Sequence, residues 1–90
     1  MALGDFQAQT RRVFENLKLV VEEAGGSVKD IFKLTVMLTD QAQWKPFSKL
    51  HEEIYKEWGI QHPATTLFVV KDLAKPEWMM EIEAIALLKQ

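Results

Sequence analysis

The 90-residue chain is 48% hydrophobic and 27% charged, with a formal net charge of −2 at pH 7. This composition is typical of one ordered globular domain and argues against intrinsic disorder. Apart from Arg11 and Arg12, the basic residues are scattered singly, so the sequence lacks the basic stripe of nucleic-acid-binding proteins and argues against a nucleic-acid partner. The absence of cysteine excludes disulfides and thiolate chemistry, and we expect no metal site.

The N-terminal segment predicts an amphipathic helix rather than a leader sequence. MALGDFQAQTRR has no long apolar run, so we expect no signal peptide, no membrane span and a cytoplasmic location. Asp5 is a suitable N-cap, and Gly25-Gly26 tolerates the positive φ of a helix C-terminus. Apolar residues at helical spacing predict a helix over about 6–24, and they are Phe6, Val13, Leu17, Val20 and Ala24.

The segment IFKLTVMLTD predicts a strand with one buried face. Apolar and polar residues alternate along it, which is the period of a half-buried strand. The residues assigned to the buried face are Phe32, Leu34, Val36 and Leu38.

A second helix follows this strand. Asp40 and Gln43 have the spacing of a capping box, but Pro46 is incompatible with a helix interior. Regular helix is therefore predicted over about 45–58, ended by Gly59. Its inner stripe consists of Phe47, Leu50, Ile54 and Trp58.

Two further strands complete the predicted elements. TTLFVV is apolar on both faces from Leu67 to Val70, which is typical of a central strand. The segment LAKPEW predicts a turn, and residues 78–88 predict the last strand.

The element order α-β-α-β-β indicates an α+β fold with a three-stranded sheet and both helices on one face. The sheet would have two open edges, and three strands are few for two helices of this length. We therefore interpret residues 1–90 as a single domain that is incomplete by itself. Periodicity places beneath the helices Phe32, Leu34, Val36, Ile82 and Ala84.

Two glutamates interrupt the largely apolar last strand, PEWMMEIEAIALLKQ. Residues two apart on a strand share a face, so Glu81 and Glu83 lie on the same side as Met79, Ile85 and Leu87. One interpretation is the solvent-facing side of an edge strand. The other is a subunit interface or a lined cleft, where a desolvated glutamate can be tuned for proton transfer. The residues alone leave both interpretations open.

The histidines and tryptophans carry weaker signals. His51-Glu52-Glu53 begins like a zinc-protease motif, but Tyr55 stands where the second histidine ligand would be, so His51 is interpreted as a surface residue. His62 could line a pocket, but a solvated linker residue is the simpler interpretation. The tryptophans are interpreted as core or interface anchors, and they are Trp44, Trp58 and Trp78.

Four segments taken together identify a family: GDFQAQTRRVFENLKLVVEEAGGS, DIFKLTVMLTD, HPATTLFVV and EIEAIA. They resemble the reactive intermediate deaminase family, also called RidA, YjgF or L-PSP, from about Gly4 to Ala86. The resemblance implies a chorismate-mutase-like α+β fold, a homotrimer with sites in clefts between subunits, and no cofactor. Enzymes of this family hydrolyse enamine or imine intermediates, made by pyridoxal-phosphate enzymes, to 2-oxo acids and ammonia.

The resemblance also implies roles for individual residues. In active members the first glutamate of E-I-E-A positions the attacking water, and this position is Glu81, which leaves Glu83 to structure or to the interface. The family's P-A-R-S stretch, whose arginine binds the substrate carboxylate, reads PATT here. We therefore expect Thr65 and Thr66 at the substrate site. A hydroxyl cannot replace the charge-assisted clamp that an arginine forms on a carboxylate.

Two further comparisons with the family concern what is missing. Lys71 points to the same side as Thr65 but lies about 20 Å along the strand, so it cannot replace the arginine. Family chains also carry an N-terminal hairpin that extends the sheet and lines the cleft, whereas this chain starts at the first helix. We therefore expect an N-terminally shortened member.

Three functions are compatible with these features. The first is a deaminase-type hydrolase, acting on a substrate without a carboxylate. The second is a non-catalytic relative that binds a small ligand in the cleft. The third is a ribonuclease or translation inhibitor. It is the least supported, because the chain has a net negative charge and lacks the basic stripe that RNA binding requires. Loss of the arginine favours ligand binding or an altered substrate over ordinary 2-imino acid hydrolysis.

Overall fold

The computed structural model describes residues 3–75 and 77–88. Its main elements are α1 (Leu3–Glu23), β1 (Ile31–Leu38), α2 (Trp44–Trp58), β2 (Ala64–Val69) and β3 (Met80–Ala86). The predicted order α-β-α-β-β is confirmed. Pro76 of the predicted LAKPEW turn, and residues 1, 2, 89 and 90 of the predicted domain, lie outside the described residues. Neither described helix is long and apolar enough to cross a membrane.

The sheet is mixed, with strand order β2-β1-β3. β1 pairs in parallel with β2 and antiparallel with β3. The interpretation of TTLFVV as a central strand is therefore wrong, because in the described chain β1 is central and β2 lies at an edge. Apolar residues on both faces are found in central strands, but also in edge strands whose apolar side chains are exposed. β2 is of the second kind, since Phe68 is 52% exposed.

Both helices cover the same face of the sheet, as predicted. The core beneath them includes, from the strands, Leu34, Val36, Leu38, Met80 and Ile82, and from the helices Phe6, Phe14, Phe47, Leu50 and Ile54. We call the opposite side the open face. The register places on it Lys33, Thr35, Met37, Ala64, Thr66, Phe68, Glu81, Glu83 and Ile85.

The predicted burial of Phe32 is wrong, since its side chain is 53% exposed. The register with β3 shifts between Ile31 and Lys33, which marks a bulge. An extra residue in one strand reverses the alternation, so Ile31 is buried in its place. From Leu34 onward the predicted face is confirmed, with Ala84 partly buried against the core.

The buried stripe of α1 also differs from the prediction. Phe6, Thr10, Phe14 and Val21 are buried, whereas Val20 is 65% exposed. Ala24, beyond the end of α1, is exposed as well. Thr10 was not recognised as a core residue because it is polar. Its hydroxyl donates a hydrogen bond to the carbonyl of Phe6 at 2.8 Å, which allows it to be buried.

The start and end of α2 follow the predicted signals. Asp40 and Gln43 form a capping box around a single 3₁₀ turn, Gln41–Gln43, and α2 follows it. Pro46 falls in the first turn of α2, where no intrahelical N–H bond is lost. Gly59 ends the helix with a φ of 69°, a conformation that glycine adopts without strain.

Aromatic and charged contacts join the two helices. The ring of Phe14 in α1 lies 5.8 Å from the rings of Tyr55 and Trp58 in α2. The guanidinium of Arg11 contacts both carboxylate oxygens of Glu57, at 3.0 and 3.3 Å. These contacts fix α1 relative to α2, and therefore both helices relative to the sheet.

Candidate functional site

Glu81 lies on β3 between two buried core residues, Met80 and Ile82. Because side chains alternate along a strand, Glu81 is on the open face, where it pairs with Met37 of β1. It is half-buried, whereas Glu83 is exposed opposite Thr35. Within the described ranges neither glutamate forms an ion pair. The predicted water-positioning residue is therefore an unpaired carboxylate in a partly apolar setting.

Exposed apolar side chains surround these carboxylates on the open face. Phe68 of β2 is 52% exposed and Ile85 of β3 is 56% exposed. Large apolar side chains that are exposed on one face of a sheet are typical of a binding site or an interface. The mixture of carboxylates and apolar side chains that the sequence indicates is therefore present on one face of the sheet.

The structure separates the two threonines that stand at the family's R and S positions. Thr65 pairs with the buried Leu34, so it lies on the helix side of the sheet, and its hydroxyl donates to the carbonyl of Pro63 at 3.0 Å. Thr66 lies on the open face, where its hydroxyl accepts a hydrogen bond from the ammonium group of Lys33. Glu81 and Thr66 therefore share a face, and Glu81 and Thr65 do not. A site that uses both Thr65 and Glu81 must take them from different chains.

Lys33 is the one lysine or arginine within the three described strands. It pairs with Ile85, whereas Glu81 pairs with Met37, four positions further along β1. This separation amounts to about 13 Å at the rise of a strand. Lys33 is therefore too far along the sheet to hold one end of a small substrate whose other end contacts Glu81.

A cleft of about 520 Å³ lies between α1 and β3 and is lined by both Glu81 and Arg12. Arg12 is exposed and makes no ion pair with the described residues. Arg12 is therefore an unpaired cation, within the described residues, in the cleft that Glu81 also lines. The other lining residues are Gln9, Val13, Asn16, Trp78, Met80 and Ile82.

Gln9 holds the segment that enters β3 against α1, and sequence reasoning missed it. Its side-chain oxygen accepts a hydrogen bond from the backbone N–H of Met79 at 3.1 Å, and its side-chain nitrogen donates to the carbonyl of Glu77 at 3.2 Å. Glu81 lies two residues after Met79, the nearer of the two residues that Gln9 contacts. The signal that could have found Gln9 is its place in the Q-T-R motif that carries the family resemblance.

The tryptophans and His62 complete the predicted candidates. Trp58 packs against the core, as predicted, while Trp44 and Trp78 are exposed. Trp78 lines the cleft beside Glu81. His62 is exposed in the linker before β2, and its ring contacts His51.

The sequence model of the family described as Endoribonuclease L-PSP matches residues 1–88 of this chain. The chain belongs to this family. It is the RidA/YjgF/L-PSP family indicated by the sequence motifs.

Individual members of the L-PSP family are similar in sequence and in structure. A RutC family protein of Pyrococcus abyssi is 41% identical over 83 residues, which are 92% of this chain and 62% of the relative. The YjgF gene product of E. coli is 35% identical, with a TM-score of 0.86 over 92% of this chain and 65% of that one. E. coli TdcF, solved with bound serine, is 35% identical, with a TM-score of 0.87 and the same coverage. The chain thus spans a little under two thirds of the length of these relatives.

Proposed function

We propose that this chain binds a small imine or enamine metabolite in the cleft between α1 and β3, where Glu81 positions a water molecule for its hydrolysis. The observation that carries the proposal is that Glu81 and Arg12 line the same cleft. A carboxylate can orient and deprotonate water, and a guanidinium can hold an anionic group of the ligand.

The chemistry requires no cofactor. The oxygen of water forms a bond to the imine carbon while Glu81 accepts a proton from it. The π electrons of the carbon–nitrogen double bond pass to the nitrogen, which takes this proton from Glu81, and a carbinolamine forms. The hydroxyl proton of the carbinolamine then moves to the nitrogen, the remaining carbon–nitrogen bond breaks, and ammonia leaves as the carbonyl product forms. The rate depends on how well Glu81 and the ligand are held relative to each other.

A homotrimer would complete this site. Glu81 and Thr65 lie on opposite faces of one sheet, so a cleft formed by two chains is the arrangement that brings them together. A neighbouring chain would also cover the exposed Phe68 and Ile85. The separation of Glu81 from Thr65 and the exposure of Phe68 and Ile85 both support a site between subunits.

A second candidate function is ligand binding without turnover. Thr65 stands where catalytic relatives have their carboxylate-binding arginine, and Arg12 is exposed rather than preorganised by packing. The bound serine of the similar protein TdcF supports a small amino-acid-like ligand for this second function. RNA cleavage is less well supported, because the open face carries two glutamates and one lysine, and glutamates repel phosphate.

The test is a coupled assay of imine hydrolysis. An amino-acid oxidase generates a 2-imino acid, semicarbazide competes for it, and the loss of the semicarbazone signal measures hydrolysis by the added protein. Glu81→Gln should lower the rate by about 10²–10⁴-fold, the usual contribution of general acid–base catalysis. Glu83→Gln is the matched control on the same strand and should retain the rate of the unmodified chain. Arg12→Gln should raise KM more than it lowers kcat, because it removes a binding contact.

The unmodified chain should turn over more slowly than a relative that carries the P-A-R-S arginine. Loss of a charge-assisted contact costs about 1.5–3 kcal/mol, or about 10–150-fold in rate. Equal rates for Glu81→Gln and the unmodified chain would overturn the assignment of Glu81. Ligand binding by calorimetry with no turnover would support the second function.

A further inference from the structure

Two histidines from different parts of the chain meet where α2 approaches the linker to β2. His51 lies in α2 and His62 in the linker, and their Nε2 atoms are 3.3 Å apart. The carboxylate of Glu52 is also close, so that one ligand atom from each of the three residues lies within 4.8 Å of the others. Two nitrogens bound to one tetrahedral zinc ion at 2.0–2.1 Å are about 3.3–3.4 Å apart, which matches the histidine pair.

The contacts of His62 fix which of its ring nitrogens is available. Its Nδ1 lies 3.3 Å from the carbonyl oxygen of Pro63. A carbonyl only accepts hydrogen bonds, so the tautomer that fits this contact has its proton on Nδ1 and its lone pair on Nε2, which faces His51. Metal-binding histidines commonly donate their second ring N–H to a carbonyl in this way, which orients the ring.

His51 has the environment of a neutral imidazole. It is 4% exposed, so the surface position inferred from the sequence is wrong. Its ring packs between those of Phe47 and Tyr55, with centroids 4.9 and 5.3 Å away. The neutral ring is the form that binds metals.

Packing alone does not explain this cluster. In the described part of the chain, neither Nδ1 of His51 nor the hydroxyl of Tyr55 has a hydrogen-bond partner, although both are buried. Buried polar groups are rarely left without a partner, and each exception calls for an explanation, such as a catalytic role or a bound ion or water. Nδ1 of His51 is not itself the proposed ligand atom, because the nitrogen that faces His62 is Nε2.

We propose that Nε2 of His51, Nε2 of His62 and the carboxylate of Glu52 bind a divalent transition-metal ion of the zinc class. Imidazole and carboxylate together suit zinc, whereas magnesium and calcium require oxygen ligands. Three protein ligands leave a fourth position for water. This site is separate from the cleft between α1 and β3, and it borders another cleft of about 450 Å³ that His62 lines.

Metal binding would join α2 to the linker of residues 59–63. This linker leads directly into β2, which carries Thr65 and Thr66. An ion that binds only the folded chain stabilises it. At a free ion concentration of 100 times Kd, the ratio of folded to unfolded chains rises by a factor of about 100. The metal should therefore raise the thermal unfolding midpoint.

Calorimetric titration of untagged, chelator-treated protein with ZnCl2 tests the site. We expect one ion per chain. His62→Gln and Glu52→Gln should each weaken binding by more than the 10–100-fold typical of losing a second-shell contact. Glu53→Gln is the matched control, because Glu53 is the next residue of α2 and contacts Arg11 instead, at 3.8 Å. It should bind zinc as the unmodified chain does.

The test remains decisive because His62 and Glu52 are exposed, so their replacement leaves the core intact. Circular dichroism verifies that both variants are folded. Zinc should raise the unfolding midpoint of the unmodified chain and of Glu53→Gln, but not that of His62→Gln, and MgCl2 should raise none. Absence of zinc binding by the unmodified chain, or equal affinity in His62→Gln, would overturn the proposal, as would equal affinities of Glu52→Gln and Glu53→Gln.

Discussion

Thr65 and Thr66 are neighbours in sequence but face opposite sides of the sheet, and this separation gives a test of where the substrate site lies. Thr65 is on the helix side, and Thr66 is on the open face with Glu81. If the site is shared between chains, Thr65 of one chain is the position that approaches the glutamate of another.

Thr65→Arg should therefore increase hydrolysis of 2-imino acids. A charge-assisted contact with the substrate carboxylate corresponds to about 10–150-fold in kcat/KM. Thr66→Arg is the matched control, since it adds the same charge one residue away on the other face, and it should give no such increase. An equal gain from both variants would show that the added charge acts without regard to position.

His51 should make the stability of the protein depend on pH. Burial lowers the pKa of His51 below its ordinary value of 6.5. Protonation therefore favours the unfolded chain, so this contribution to stability is complete above pH 6.5 and is lost as the pH falls through the lower, folded-state pKa. The groups facing His51 are Phe47, Tyr55, Glu52 and His62.

Urea unfolding in EDTA at several values between pH 7.5 and pH 5 measures this dependence. His51→Phe fills the same aromatic surroundings without a titrating ring. The unmodified chain should lose more free energy of unfolding over this range than the variant does. Parallel pH profiles for the two proteins would contradict the prediction.

At the scale of elements, the attachment of β3 to α1 depends on one side chain. Gln9 makes two hydrogen bonds to the segment that precedes β3. Gln9→Ala should lower the free energy of unfolding by about 1–3 kcal/mol, since each bond contributes roughly 0.5–1.5 kcal/mol. Hydrogen exchange at the Met79 amide should accelerate, because that N–H loses its acceptor. Gln7→Ala, an exposed change on the same helix, should alter neither quantity.

Sequence periodicity predicted the elements well where one face of an element is uniformly apolar. The predicted stripe of α2 and the face of β1 from Leu34 to Leu38 follow the pattern because these positions are hydrophobic, whereas the burial of His51 in α2 was missed because histidine is polar. The pattern failed at Phe32, where a bulge shifts the alternation, and a bulge depends on pairing with β3 rather than on local sequence. It also failed at Thr10, whose burial depends on a hydrogen bond within α1.

The candidate site could be predicted only in part. Strand alternation and the family motif predicted Glu81, which lines the cleft between α1 and β3, and its catalytic role stays a prediction. Arg12 and Gln9 were not found, because their proximity to β3 depends on helix packing between residues about 70 positions apart. The His51–His62 contact was missed for a different reason, because it depends on the geometry of the turn at Gly59, which brings together residues 11 positions apart.

At the scale of the whole molecule, the open face predicts self-association. Both outer strands have an unpaired edge within the described residues, and large apolar side chains are exposed beside Glu81. We expect a closed assembly with cyclic symmetry, most simply three copies, which would cover these surfaces. Sedimentation at micromolar concentration should show no stable species near the chain mass of 10.4 kDa.

Two matched lysine substitutions locate the interface. Ile85 on the open face and Leu19 on α1 have nearly equal exposed fractions, 56% and 58%. Ile85→Lys should shift the sedimentation profile toward monomer, because it places a charge in the surface that we expect a neighbouring chain to cover. Leu19→Lys should leave the assembly unchanged. Dissociation by the α1 variant alone would assign the interface to the helices instead.

The strand order β2-β1-β3 also determines when the sheet can form during synthesis. Leu34 in the central strand pairs with Ala84, which is 50 positions later in the chain. During synthesis β1 and β2 are made before β3, so the edge of β1 that pairs with β3 still lacks a partner at that stage. That edge can close only once β3 is available, and until then the incomplete sheet exposes an unpaired strand edge that chaperones can bind.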